Sequence, residues 1–304
     1  MRAFLVLVPA AALAACAVSF AGPASGSNAA ARNGLIAFTS DRAGSYDIWT
    51  MRADGSHLRR LTKDRQEDHC PSWSPDGRLI AFTRRYVHPA DLFVMRADGS
   101  GVRRVLKLRG EEICPRWSPD GKRLVFVRMD NTLPSPVHAV YTVRVDGRGL
   151  RKLSTLNDAW EMTDWGRNGR ILFESDYPPE TRISIWSMRA DGSDRRRVTE
   201  GLTETHRHPR WSPDSRRILF TNDREGDEEL WVMNADGSGM TPLTKNGIAD
   251  FFPAWSPDGR KIVFARTVGN KQPEIFIANP DGSGERRLTH WRRIDNAPDW
   301  ARAR

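Results

Sequence analysis

The sequence predicts an all-β protein: a six-bladed β-propeller closed by pairing its C-terminal strand into its N-terminal blade. Three observations predict it. The stretch Pro71-Ser72-Trp73-Ser74-Pro75-Asp76-Gly77 returns at 115–121, 209–215 and 253–259, with weaker copies at 163–169 and 298–300, so that Trp73, Trp117, Trp165, Trp211, Trp255 and Trp300 recur every 44 to 48 residues. Periods of this size mean propeller blades or helical arrays. One period holds four short strand-like segments and no 3.6-periodic run, which selects the propeller. Finally, the chain enters its first repeat midway and ends on the strand that this repeat lacks.

The chain opens on Arg2 and an apolar run, Ala3 to Ala21, which reads as an export signal over 1–21. Ser19-Phe20-Ala21 offers small residues for cleavage before Gly22, and Leu13-Ala14-Ala15-Cys16 offers a lipobox in which Cys16 would become a lipidated first residue. A retained membrane anchor is a third reading. Residues 22–32 are small and polar, a linker, and 33–304 leave room for one propeller and no second domain.

Blade 1 starts at Gly34-Leu35-Ile36-Ala37-Phe38, the counterpart of Leu79-Ile80-Ala81-Phe82 in blade 2, and Pro298-Asp299-Trp300 supplies its missing strand. Within blade 2, Ser-Pro-Asp-Gly is a tight turn in which proline fixes φ and glycine accepts a positive φ. Two strands follow, at 79–82 and 92–95; Asp98-Gly99 makes a hairpin of the primed type, and Val102 to Leu106 forms the fourth strand. Ser215 stands where the other intact copies carry glycine.

The six tryptophans end equivalent inner strands and are expected to pack between blades. Trp49, Phe93, Tyr141, Trp186, Trp231 and Phe276 form a second structural series on the third strands. The net charge of +9 invites a nucleic-acid partner. However, Arg59-Arg60, Arg103-Arg104, Arg151-Lys152, Arg195-Arg196-Arg197 and Arg286-Arg287 all follow the Asp-Gly turn on outermost strands, where charge prevents sheet-to-sheet association. With an export signal, no nucleic acid is expected. Cys70 and Cys114 precede the inner strands of neighbouring blades and read either as a disulfide or as two buried thiols.

The repeated Pro-x-Trp-Ser-Pro-Asp-Gly, the Ile-x-Phe strand, Asp-[Ile/Leu]-[Trp/Phe]-x-Met-x-Ala-Asp-Gly-Ser and Arg-x-Leu-Thr resemble the repeats of the TolB-like propeller family over roughly residues 33 to 301. That resemblance implies a periplasmic or extracytoplasmic, protein-binding propeller. It carries no catalytic residue, because the motif positions are scaffold. The family's best-known member has a further N-terminal α/β domain and works in the Tol-Pal envelope system.

The sequence has no Gly-x-Ser-x-Gly elbow, His-Glu-x-x-His, paired Cys-x-x-Cys, phosphate loop or sialidase box. The expected function is an exported, non-catalytic binding module for an envelope or extracellular protein, acting as a monomer. The alternative is a hydrolase or lyase working on a sugar, lactone or peptide in the central funnel. The candidate surface is the face where variable loops gather. Five residues before each tryptophan stand Asp68, Glu112, Trp160, His206, Asp250 and Asp295, with His69, Glu161, Arg207 and His208 nearby. These residues are expected to ring the channel mouth, either as solvated carboxylates holding the loops or as a funnel for calcium or a cationic partner segment. No cofactor is expected otherwise.

Overall fold

The computed structural model describes residues 33–303 apart from 86–88, 131–136, 155–158, 160, 177–181, 201–203, 225, 270–271 and 292. The leader, the linker, Cys16 and Trp160 therefore lie outside the described residues. Six four-stranded antiparallel sheets account for the fold, with no helix among the described residues. Blade 2 shows the pattern, with strands Glu67–Trp73, Leu79–Arg85, Ala90–Arg96 and Arg103–Arg104 running from the axis outward. In blade 1 the innermost strand is Asp295–Arg302, paired with Asn33–Ser40 so that Trp300 faces Ile36 and Asp295 faces Ser40. The ring is closed by the last strand of the chain.

Each turn after a tryptophan is held by its own side chains. Ser74 Oγ donates to Asp76 Oδ1 at 2.6 Å and accepts the N–H of Leu79 at 2.9 Å, and Ser118, Ser212 and Ser256 repeat this arrangement. The Asp-Gly turns serve the blade seams as well. A Cβ on Gly147 (φ 86) or Gly192 (φ 87) would lie 2.5 or 2.6 Å from the carbonyl oxygen of Val105 or Leu153 in the preceding blade. Only glycine permits both the turn and this approach.

The expected fourth strand, Val102 to Leu106, is shorter than its apolar ends suggest. Only Arg103–Arg104 belong to it, and beyond the Val105 N–H bond to Leu92 O the chain turns toward blade 3. Its arginines do more than keep outer edges apart. In blades 1, 2 and 3 the first of the pair crosses to the next blade: Arg59 Nη2 to Asp98 O at 3.0 Å, Arg103 Nη1 to Val145 O at 2.9 Å, and Arg151 Nη2 to Asp191 O at 2.9 Å. The second binds an acid on its own third strand, as in Arg60–Asp47 at 2.8 Å and Arg104–Asp91 at 3.4 Å.

The core lies in the seams. Phe38, Phe82, Phe126, Phe173, Phe220 and Phe264 are fully buried at one position of the six second strands, each worth roughly 1.5–3 kcal/mol of burial. Trp73, Trp117, Trp211, Trp255 and Trp300 are buried as well, and Trp165 is half-buried.

Candidate functional site

The innermost strands bring three levels of side chains toward the axis. Three residues before the tryptophan, Cys70, Cys114, His208, Phe252 and Ala297 adopt φ between 48° and 54°. Each precedes a proline, whose missing N–H interrupts the ladder, and the register slips there in every case. For a residue with a Cβ this conformation costs roughly 1–2 kcal/mol. It is offset where the freed N–H finds the preceding blade: Cys70 N donates to Thr39 Oγ1 at 3.2 Å, Cys114 N to Thr83 Oγ1 at 2.9 Å, and His208 N to Glu174 Oε1 at 2.6 Å.

These bulge residues fill the channel. Cys70 and Cys114 form a disulfide with Cα atoms 5.0 Å apart, joining blades 2 and 3 at the axis. The His208 and Phe252 rings meet at 4.2 Å, and Met162, Cys70 and Phe252 pack with Cys114 into one apolar cluster.

Toward the turn face, the residue before four of the six tryptophans builds a charged lattice that sequence reasoning missed. Arg210 Nη2 reaches Asp299 Oδ1 at 2.7 Å, linking blade 5 to blade 1 across the axis, and its Nη1 lies 3.8 Å from Asp164 Oδ1. Asp299 and Asp164 also accept the N–H groups of Trp73 and Trp211, both at 2.7 Å. Arg116 is buried beside them, donating Nη1 to the carbonyls of Pro71 and Pro115 at 3.3 Å. Burial first, then the Arg210 charge, pulls its pKa down to about 9, against the pull of Asp299 and Asp164. The signal was present in the sequence: the position before the repeat tryptophan holds Arg116, Arg210, Asp164 and Asp299 beside Ser72 and Ala254.

On the loop side, the expected ring of exposed carboxylates is not what the structure contains. The side chains of Asp68, Glu112, Asp250 and Asp295 have no solvent exposure, and those of Asp68, Asp250 and Asp295 bind arginines of their own blades. Asp68 takes Arg84 Nε and Nη2 at 2.7 and 2.9 Å, Asp250 takes Arg266 Nε and Nη2 at 2.6 and 2.8 Å, and Asp295 takes Arg42 at 2.6 Å. Five residues before the tryptophan, the pleat turns the side chain onto the blade face rather than toward the channel. Burial raises the carboxyl pKa of Asp68 and Asp250, and their arginines pull it back down.

Glu112 is the exception among the acids, because Arg128 Nε stands off at 3.8 Å and neither carboxylate oxygen has a hydrogen-bond partner. Burial, with Asp91 nearby, pushes its pKa up to about 8, so the proton is retained at neutral pH. His206 is likewise fully buried, and burial lowers its pKa to about 4.

What remains at the mouth is a smaller group. Glu161 is exposed and Arg207 and His69 are half-buried; His69 Nε2 lies 3.4 Å from Glu67, with its ring 4.7 Å from that of Tyr46. Below them, burial raises the pKa of Glu174 to about 8, and burial together with Arg207, Arg210 and Arg116 lowers that of His208 to about 3. Among the described residues, no three His, Cys, Asp or Glu side chains converge where a metal ion would be held.

Against known proteins, the model of the TolB beta propeller domain matches residues 17–206 and 201–303. The Tol-Pal system protein TolB of Anaeromyxobacter dehalogenans is 33% identical over 92 residues, 30% of this chain and 21% of that one. Such matches span well under two thirds of the curated relatives' length. The crystal structure of TolB from Acinetobacter baumannii superposes with a TM-score of 0.77 at 18% identity, covering 88% of this chain and 66% of that one. Oligogalacturonate lyase from Vibrio parahaemolyticus gives 0.58 at 15% identity over 84% and 74%. At such identities the superpositions show the propeller fold alone. The family model spans nearly all the described residues, and with the repeat and six closed blades the chain belongs to the TolB β-propeller family.

Proposed function

We propose that this protein is an exported, non-catalytic binding module that receives an envelope protein on its loop face, at the mouth around Glu161, Arg207 and His69. The observation that carries this reading is the filled axis. The disulfide, Met162, His208 and Phe252 lie just beneath the mouth, and the Arg210–Asp299 bridge crosses the axis below them. A ligand is therefore met by a shallow face of loops, which suits a protein surface better than a small substrate needing an enclosing cleft. Export through the 1–21 segment, with signal cleavage or lipidation at Cys16, and a monomeric state complete the proposal.

The experiment is affinity capture from the protein's own envelope fraction, run beside a turnover panel of sugars, lactones and peptides. A saturable protein partner and no turnover are expected. Turnover lost on Glu174→Gln would instead establish the hydrolase or lyase alternative.

A further inference from the structure

Among the described side chains, five of the six blades fill one place with an arginine. In blade 2, Arg84 lies 5.5 and 4.9 Å from the ring centroids of Phe82 and Phe93, in a row with Asp68 and Asp91 across the first three strands. Arg266 lies 5.2 and 4.9 Å from Phe264 and Phe276 in blade 6, between Asp250 and Glu274. Arg42 takes the place in blade 1, Arg128 in blade 3, and Arg195 in blade 4 over Phe173 and Trp186.

Blade 5 keeps the surroundings and changes the row. His206, Asn222 and Glu229 face one another across its strands, with Phe220 and Trp231 as the aromatic pair. The arginine position is Asn222, and the fourth-strand arginine that binds the third-strand acid in blades 1, 2 and 6 is replaced by Pro242. Both ring nitrogens of His206, Asn222 Oδ1 and Glu229 Oε2 are buried without a hydrogen-bond partner, and His206 and Asn222 are 0% and 3% exposed. Glu229 Oε1 is occupied by the N–H groups of Asn246 and Gly247 at 2.6 and 2.9 Å. Glu229 and Trp231 are partly exposed, so the row ends at the protein surface while its accepting atoms lie beneath it. Buried acceptors without donors are costly, and acceptors beside aromatic faces suit a planar cation.

We propose that the seam between blades 4 and 5 binds a guanidinium group, with Glu229 Oε2, Asn222 Oδ1 and a His206 ring nitrogen accepting its N–H donors between Phe220 and Trp231. The low pKa of His206 keeps that ring neutral, so it offers an acceptor and does not repel the cation. The site goes beyond the module reading and does not depend on it, because a small-molecule titration reports on this seam alone.

The test is calorimetric titration of the full chain with Nα-acetyl-arginine amide, its citrulline and lysine counterparts, and a peptide presenting one arginine. Saturable binding of the arginine compound is expected, weakened roughly tenfold by Glu229→Gln. His206→Asp with Asn222→Arg rebuilds the row of blade 2 and should abolish binding. Tighter binding of the peptide would point to a partner's side chain, and equal binding to a free guanidino compound; both support the site. No saturable binding, or equal binding of the citrulline compound, would overturn it.

Discussion

Replacing Glu112 by glutamine should stabilise the protein in a way that depends on pH. Burial moves this carboxyl from an ordinary 4.5 to about 8. Because the folded value is raised, the native state holds a proton that the unfolded state has released between these two values. The stabilising contribution is therefore complete below pH 4.5 and is lost as pH rises through 8. The gap between the two values corresponds to about 3 kcal/mol at pH 7 and nearly 5 kcal/mol above pH 8 as upper bounds. Some relaxation of Arg128 toward the new charge leaves roughly 1–3 kcal/mol expected at pH 8. Glutamine keeps the shape and does not ionise. Urea unfolding at pH 4 and pH 8 should show Glu112→Gln near the wild type at the first and more stable at the second. A variant less stable at pH 8 would refute the reasoning, because Glu112 would then be an ionised partner of Arg128.

Deleting residues 298–304 removes Trp300 and most of the strand that closes blade 1. A loss of at least ~3–5 kcal/mol follows from the tryptophan alone, read as a lowered melting temperature or failure to fold. Ser215 adopts φ 55°, and its Oγ accepts the N–H of Arg167 at 2.8 Å in the preceding blade. Ser215→Gly relieves the backbone and loses that bond, so a change within about 0.5 kcal/mol is expected in place of a clear gain. Ser215→Ala keeps the strain and should cost about 1–2 kcal/mol; equal loss in both variants would contradict this. The disulfide closes a separation of 44 residues, for which loop closure suggests about 4 kcal/mol. Mass spectrometry of alkylated, unreduced protein should find Cys70 and Cys114 unlabelled, and Cys70→Ser should lower the denaturant midpoint.

The blades were legible because tryptophan, Pro-Asp-Gly and Asp-Gly-Ser each have one structural use, and a period of that length admits few folds. Closure was legible for the same reason, since Pro298-Asp299-Trp300 has no blade of its own in the linear order. The mouth was not. The repeat gives the height of Asp68 or Asp250 along the inner strand, whereas the direction of the side chain depends on pleat parity and on the register slip at Cys70 and Phe252. A spacing would have helped: Asp68 to Arg84, Glu112 to Arg128 and Asp250 to Arg266 are each 16 residues apart, the reach of one hairpin. The Arg210–Asp299 bridge joins blades that no local pattern brings together, so it emerges only once the ring is closed.

The central claim is that a protein partner docks on the loop face. Two variants should separate the faces: Glu161→Lys with Arg207→Glu at the mouth, and Arg78→Glu with Lys122→Glu on the turn face. Both are to be checked for wild-type melting and then used as bait against the envelope fraction. Capture lost by the mouth variant and kept by the turn-face variant is the predicted result. Capture kept by the mouth variant and lost by the turn-face variant would contradict the account and move the partner to the opposite end of the propeller.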